Sequence, residues 1–182
     1  AGTYTIRIRG AFPRLYFNNS GDRQKLLDVK QWGSIAWTSM EAAFYGCSNL
    51  NITATDVPDL SGVNNMAQMF SLCSSLNGPT NIGTWNTAAV TNMSGMFEDA
   101  IAFNQPLDAW NLNASVNMTN MLNNCGMDCG NYSATLIGWD NNPATPSGRS
   151  LGAVGRRYNL GAVAARTNLT TTKGWTINGD AQ

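Results

Sequence analysis

The chain contains no histidine. That removes the commonest general base, the usual activator of a nucleophile and the commonest metal ligand, and so disfavours hydrolase triads and zinc sites. Charge is scarce too. Asp, Glu, Lys and Arg make up 12% of residues, about half of ordinary usage. The 11 basic and 11 acidic side chains cancel, and no Lys/Arg block occurs, so neither a nucleic acid nor an anionic membrane finds a basic face. No apolar run approaches the ~20 residues of a bilayer-spanning helix, so membrane insertion is not expected. Phosphate loops, nucleophile elbows and dinucleotide fingerprints are missing. There is no initiating Met and no signal-peptide pattern. The chain opens on AGTYTIRIRG as though cut from something longer, and a monomeric fragment of a longer protein is expected.

What the chain does have is a period. VTNMSGMFEDAIAFNQPLDAW (residues 90–110) has a counterpart at 62–85, GVNNMAQMFSLCSSLNGPTNIGTW, and another at 115–130, SVNMTNMLNNCGMDCG. A worn copy, AWTSMEAAFYGCSNLN, occupies 36–51. Met40, Met66, Met93 and Met118 are equivalent, and subtraction gives spacings of 26, 27 and 25 residues. A period in the twenties predicts an α/β solenoid, each coil burying its apolar face against its neighbours. Met66/Met69/Phe70, Met93/Met96/Phe97 and Met118/Met121/Leu122 stand at i, i+3 and i+4, which predicts one short helix per coil with these residues as the repeat core. Met40/Ala43/Phe44 is the worn equivalent. The extended segment after it, such as Phe103-Asn104-Gln105-Pro106-Leu107, predicts one short strand per coil, stacked in parallel. Trp85 and Trp110 are equivalent, over the coil interior or along its edge.

This divides the chain into residues 1–35, an N-terminal strand and cap segment or the tail of a preceding β-domain; 36–130, four coils; and 131–182, a C-terminal cap. In the first part Tyr4, Ile6 and Ile8 alternate with polar residues, predicting a half-buried strand. In the last, residues 131–139 predict a helix ended by Asn141-Asn142-Pro143, residues 161–169 another, and 175–177 a final strand.

The run Val90-Thr91-Asn92-Met93-Ser94-Gly95-Met96-Phe97, followed by Ala100, Phe103-Asn104-Gln105-Pro106-Leu107 and Trp110-Asn111, resembles the BspA-like leucine-rich repeat family, specifically its 26-residue bacterial surface-protein repeat. The small residue after Phe matches that family's AF-x-x-C-x-x-L core. The resemblance covers roughly residues 36–130. It implies leucine-rich-repeat-like coils and a secreted or surface-anchored bacterial protein, extracellular or at the cell surface. It also implies a non-catalytic interaction role, adhesion to protein or glycan ligands along one solenoid face. The alternative is a passive spacer or accessory domain of a larger surface protein or enzyme.

Candidate sites are few. Asp108, Asn111 and Asn113 lie on one coil and are the candidate ligand-binding residues. Cys47 and Cys73 fall one period apart, at disulfide-compatible separation or as small core residues with free thiols. Cys125 and Cys129 are the candidate disulfide, or two further free thiols. The Met stripe is core rather than a copper site. Asn65, Asn92 and Asn117 precede equivalent methionines and form a ladder, either satisfying backbone groups at each turn or exposed as a row of amides. Glu98-Asp99, Asp56/Asp59 and Asp108 read as solvated loop charge. No cofactor is expected; calcium held by Asp140-Asn141-Asn142 is the one exception considered. Thr does not recur at fixed positions (Thr91 aligns with Asn64 and Val116), which counts against an ice-binding array.

Overall fold

The computed structural model describes residues 2–182. Among them are two α-helices, both after residue 128, and two small parallel sheets of two strands each. Strand β1 (Asp28–Val29) pairs with β2 (Asn51–Ile52), and β3 (Ser150–Gly152) with β4 (Thr176–Asn178). Helix α1 spans Cys129–Asn141 and α2 Val163–Thr171. This overturns the expected α/β solenoid of leucine-rich-repeat-like coils, because residues 36–128 form no α-helix, and of the strands expected at 103–107 and its equivalents only the two-residue β2 forms.

The backbone shows why no helix forms at the Met-Phe runs. Two residues after each equivalent Met, Ala42, Gln68, Gly95 and Asn120 have φ between 49° and 59°, and Gly46, Leu72, Asp99 and Asn124 are again left-handed. A right-handed helix tolerates no such residue. The N–H groups of Met69 and Cys73 reach back three residues to the carbonyls of Met66 and Phe70, closing consecutive tight turns. Every second N–H points elsewhere. Those of Met66, Gln68, Phe70 and Leu72 donate at 2.8–2.9 Å to the carbonyls of Asn92, Ser94, Met96 and Glu98. The same alternation joins Met93, Gly95, Phe97 and Asp99 to Asn117, Thr119, Met121 and Asn123. The spacing of about 26 residues thus sets a hydrogen-bond register between tight turns.

Apolar spacing at i, i+3 and i+4 serves this arrangement as well as it would a helix. Met66, Met69, Phe70, Met93, Met96, Phe97, Met118, Met121 and Leu122 are all fully buried. Phe44, Phe70 and Phe97 stack face to face, with centroids 5.5 and 5.7 Å apart, and Phe97 lies on Phe103. The Asn ladder is local carpentry. Asn65, Asn92 and Asn117 each accept the N–H two residues on, at 3.0–3.1 Å, which starts the turn run.

Helix α1 begins at a good cap. Asp128 is extended, and its Oδ1 accepts the Asn131 N–H at 2.8 Å. Pro143, one residue past the C-cap Asn142, ends it. Where α1 crosses the preceding segment, a Cβ on Gly138 would run into the Asp108 backbone. The C-terminus is tied down by Asp180, whose buried carboxylate takes Arg166 in a two-pronged pair at 2.8 and 2.6 Å and accepts the Tyr132 hydroxyl at 3.0 Å. At the other end the expected half-buried strand is absent. Tyr4 and Ile6 are each 84% exposed, because no neighbouring strand lies alongside to bury one face.

Candidate functional site

The candidate residues Asp108, Asn111 and Asn113 do not converge on a pocket. Asn113 is fully engaged, its Nδ2 donating to the Ala88 carbonyl at 2.8 Å and its Oδ1 accepting the Ser115 N–H at 2.9 Å. Asn111 Oδ1 accepts from Asn142 Nδ2 at 3.0 Å. Asp108 is exposed and sits under Gly138 of α1. The two asparagines hold segments together, whereas the Asp108 carboxylate is free at the surface.

Three of the four thiols are buried in the core. All four cysteines are free, so the candidate Cys125–Cys129 disulfide is absent: Cys125 is buried, whereas Cys129 opens α1 on the exposed surface. Cys73 Sγ donates to the Phe44 carbonyl at 3.0 Å. Burial pushes the Cys47 thiol up to about 12 and raises Cys73 and Cys125 as well, which keeps them protonated and unreactive. Two of the oxygens considered for calcium are in use. Asp140 accepts from Asn168 at 2.5 Å, and Asn142 Oδ1 accepts the Ala144 N–H.

Carboxylates elsewhere act as acceptors for the fold. Asp56 receives the N–H groups of Trp32 and Gly33, and Asp28 receives Thr53 through both its N–H and hydroxyl. Asp99 accepts from Asn124 Nδ2 at 3.0 Å. Glu98 beside it is raised, first by burial and then by the Asp99 charge. Asp59 is lowered by the hydroxyl and then the N–H of Ser61.

The arrangement opens on one side. Between residues 51–55 and 77–81 lies a groove of about 350 Å³. Elsewhere the corresponding segments are joined: the Asn104 N–H donates to the Asn77 carbonyl, the Asp128 N–H to Asn104 Oδ1, and Asn131 Nδ2 to the Asn104 carbonyl and Oδ1. Across the groove no backbone bond forms, and Asn81 Nδ2 alone reaches over, to the carbonyls of Thr55 at 3.1 Å and Asp56 at 3.3 Å. The tryptophans record the same parting. Trp110 Nε1 donates to the Ile82 carbonyl and Trp139 Nε1 to that of Leu107, whereas Trp85 Nε1, one segment earlier, is buried without a partner.

Local sequence causes the gap. Gly78, at φ 89°, turns the chain against the Phe103 ring, where no Cβ would fit. Pro79 then has no N–H to give. Among the described residues, the backbone N–H groups of Asn77, Gly78, Thr80 and Asn81 find no acceptor. Asn81 Oδ1 is buried and unpartnered as well, a state that costs ~1–3 kcal/mol. No charged side chain lines the groove; its polar side chains are carboxamides and hydroxyls. Asn-Gly-Pro is a turn signal in the sequence, but nothing there shows that the segment before it stands apart. A second hollow of about 320 Å³, along residues 10–13 and 34–36, is mainly apolar.

No helix among the described residues is long and apolar enough to cross a membrane. Residues 14–142, more than half of the chain, match the family model described as "Mycoplasma protein of unknown function, DUF285". Comparison with curated proteins and with solved structures finds no match. Neither the architecture nor this family description supports the solenoid expected from the period or the leucine-rich-repeat and adhesin assignments implied by the resemblance. The match extends from the first tight-turn segments to the end of α1, and the chain belongs to the Mycoplasma protein family of unknown function DUF285.

Proposed function

We propose that this chain is a non-catalytic interaction module of a secreted or surface-anchored bacterial protein, taking a protein or glycan ligand outside the cell. One observation carries the reading. The groove between residues 51–55 and 77–81 is uncharged and lined by neutral carboxamides and hydroxyls, and the N–H groups of Asn77, Gly78, Thr80 and Asn81 along one wall bond no acceptor among the described residues. Polar groups without partners in the chain, lining a hollow, are the ordinary makings of a recognition site. The disposition of the carboxylates fits binding rather than catalysis: Asp28, Asp56, Asp128, Asp140 and Asp180 all accept hydrogen bonds that position backbone or side chains.

The test is binding of the folded 182-residue chain to an array of glycans and a panel of extracellular-matrix proteins. Saturable binding on either panel supports the module. A folded chain that binds nothing on both contradicts it and leaves the passive-spacer reading.

A further inference from the structure

We propose that the groove between residues 51–55 and 77–81 seats a short stretch of an uncharged glycan; this rests on the reading of the chain as a binding module. Three observations select the ligand class. The lining carries no charge, so no salt bridge or ionic steering favours a phosphorylated, sialylated or otherwise charged ligand. Its hydrogen-bonding groups are mixed: the N–H groups of Asn77, Gly78, Thr80 and Asn81 bond no acceptor among the described residues, and the exposed carboxamides and hydroxyls of Asn51, Thr55, Asn77 and Thr80 both donate and accept. A sugar hydroxyl also donates and accepts, so a polyhydroxylated ring answers donors and acceptors together. The wall is also unsuited to an added peptide strand. Gly78 is left-handed and Pro79 lacks an N–H, so residues 77–81 cannot present the regular alternation of donors and acceptors that strand addition uses. The volume of about 350 Å³ lies at the small end of the ~300–1,000 Å³ usual for small-ligand sites, enough for a piece of an oligosaccharide rather than a folded partner. Ile52, Ala54 and Pro79 supply apolar floor for the C–H faces of a ring.

The experiment is an amide-resolved NMR titration of the full chain with chitotriose, cellotriose and maltotriose, using an uncharged capped tetra-alanine peptide in parallel. The expected result is saturable shifts of the Gly78, Thr80 and Asn81 amides with at least one saccharide and none with the peptide. Asn81→Ala removes the orphan acceptor but also the bonds to Thr55 and Asp56 and risks the local fold. The blocking variant is therefore Thr55→Arg, at an exposed position on the rim. It should leave the remaining spectrum in place and weaken binding at least about tenfold, because a long cationic side chain would occupy the rim of the groove. Groove amides that stay still with every saccharide, that respond to the peptide alone, or that respond equally in Thr55→Arg overturn the inference. If saccharides fail while the matrix-protein panel still binds, the inference falls and the module reading stands; failure on both panels ends both.

Discussion

Two sides of the same segments behave differently. Along the Met-Phe side, residues 66–72 and 93–99 donate every second N–H to the next segment, and Phe44, Phe70 and Phe97 stack beneath them. On the opposite side, residues 77–81 donate no backbone bond to 51–55, and one Asn side chain spans the gap. The first side binds itself. The second leaves polar groups over, and leftover groups in a hollow are what another molecule can use. Chain geometry accounts for the contrast: alternating left-handed residues aim N–H groups at the neighbouring segment, whereas Gly78-Pro79 turns one segment away and removes a donor.

The sharpest way to break this comparison is to truncate the stack. Phe97→Ala empties the space between Phe70, Phe103 and Trp110 and should cost ~3–5 kcal/mol in denaturant unfolding. A cost below ~1 kcal/mol would mean that the column is not where stability resides. Asn92→Ala deletes the acceptor for the Ser94 N–H and hydroxyl and should cost ~1 kcal/mol by the same measurement. On the open side, Thr80→Ala removes an exposed side chain with no hydrogen bond and should stay within ~0.5 kcal/mol. Equal effects of the two polar substitutions would erase the distinction.

Asp128 offers a check by pH. The Asn131 N–H, then the Asn104 side chain, holds its carboxyl below the usual carboxylate range. A depressed folded value means that the ionised cap adds stability above the unfolded pKa of about 3.9, and that this is lost as pH falls through the lower folded value. Asp128→Ala should cost ~1 kcal/mol near neutrality and progressively less below pH ~4, read from urea midpoints across pH. A cost that does not fall on acidification would show that the charge is not what caps α1.

Some of this was legible in the sequence. The apolar positions and their register were, because burial and the 25–27 spacing depend on side-chain identity and count alone. Local conformation was not, since i, i+3, i+4 spacing fits consecutive turns as well as a helix. Gly46, Gly95, Asp99, Asn120 and Asn124 are residues that tolerate positive φ and were the available signal, masked by Ala42, Gln68 and Leu72 at equivalent places. The region of α1 was readable from its apolar face and Pro143, but the Asp128 cap extends it to Cys129. Tyr4, Ile6 and Ile8 misled because alternation marks a strand only where a sheet exists to pair with it. The groove is a missing set of contacts between segments some 26 residues apart, and no single stretch of sequence announces a missing contact.

The most direct test of the two-sided account is amide hydrogen exchange in the unliganded chain. The amides of Met66, Gln68, Phe70 and Leu72, bonded to the next segment, should be strongly protected, and those of Asn77, Thr80 and Asn81 should exchange orders of magnitude faster. Comparable protection across 66–72 and 77–81 would contradict the account, because the segments flanking the groove would then be joined after all.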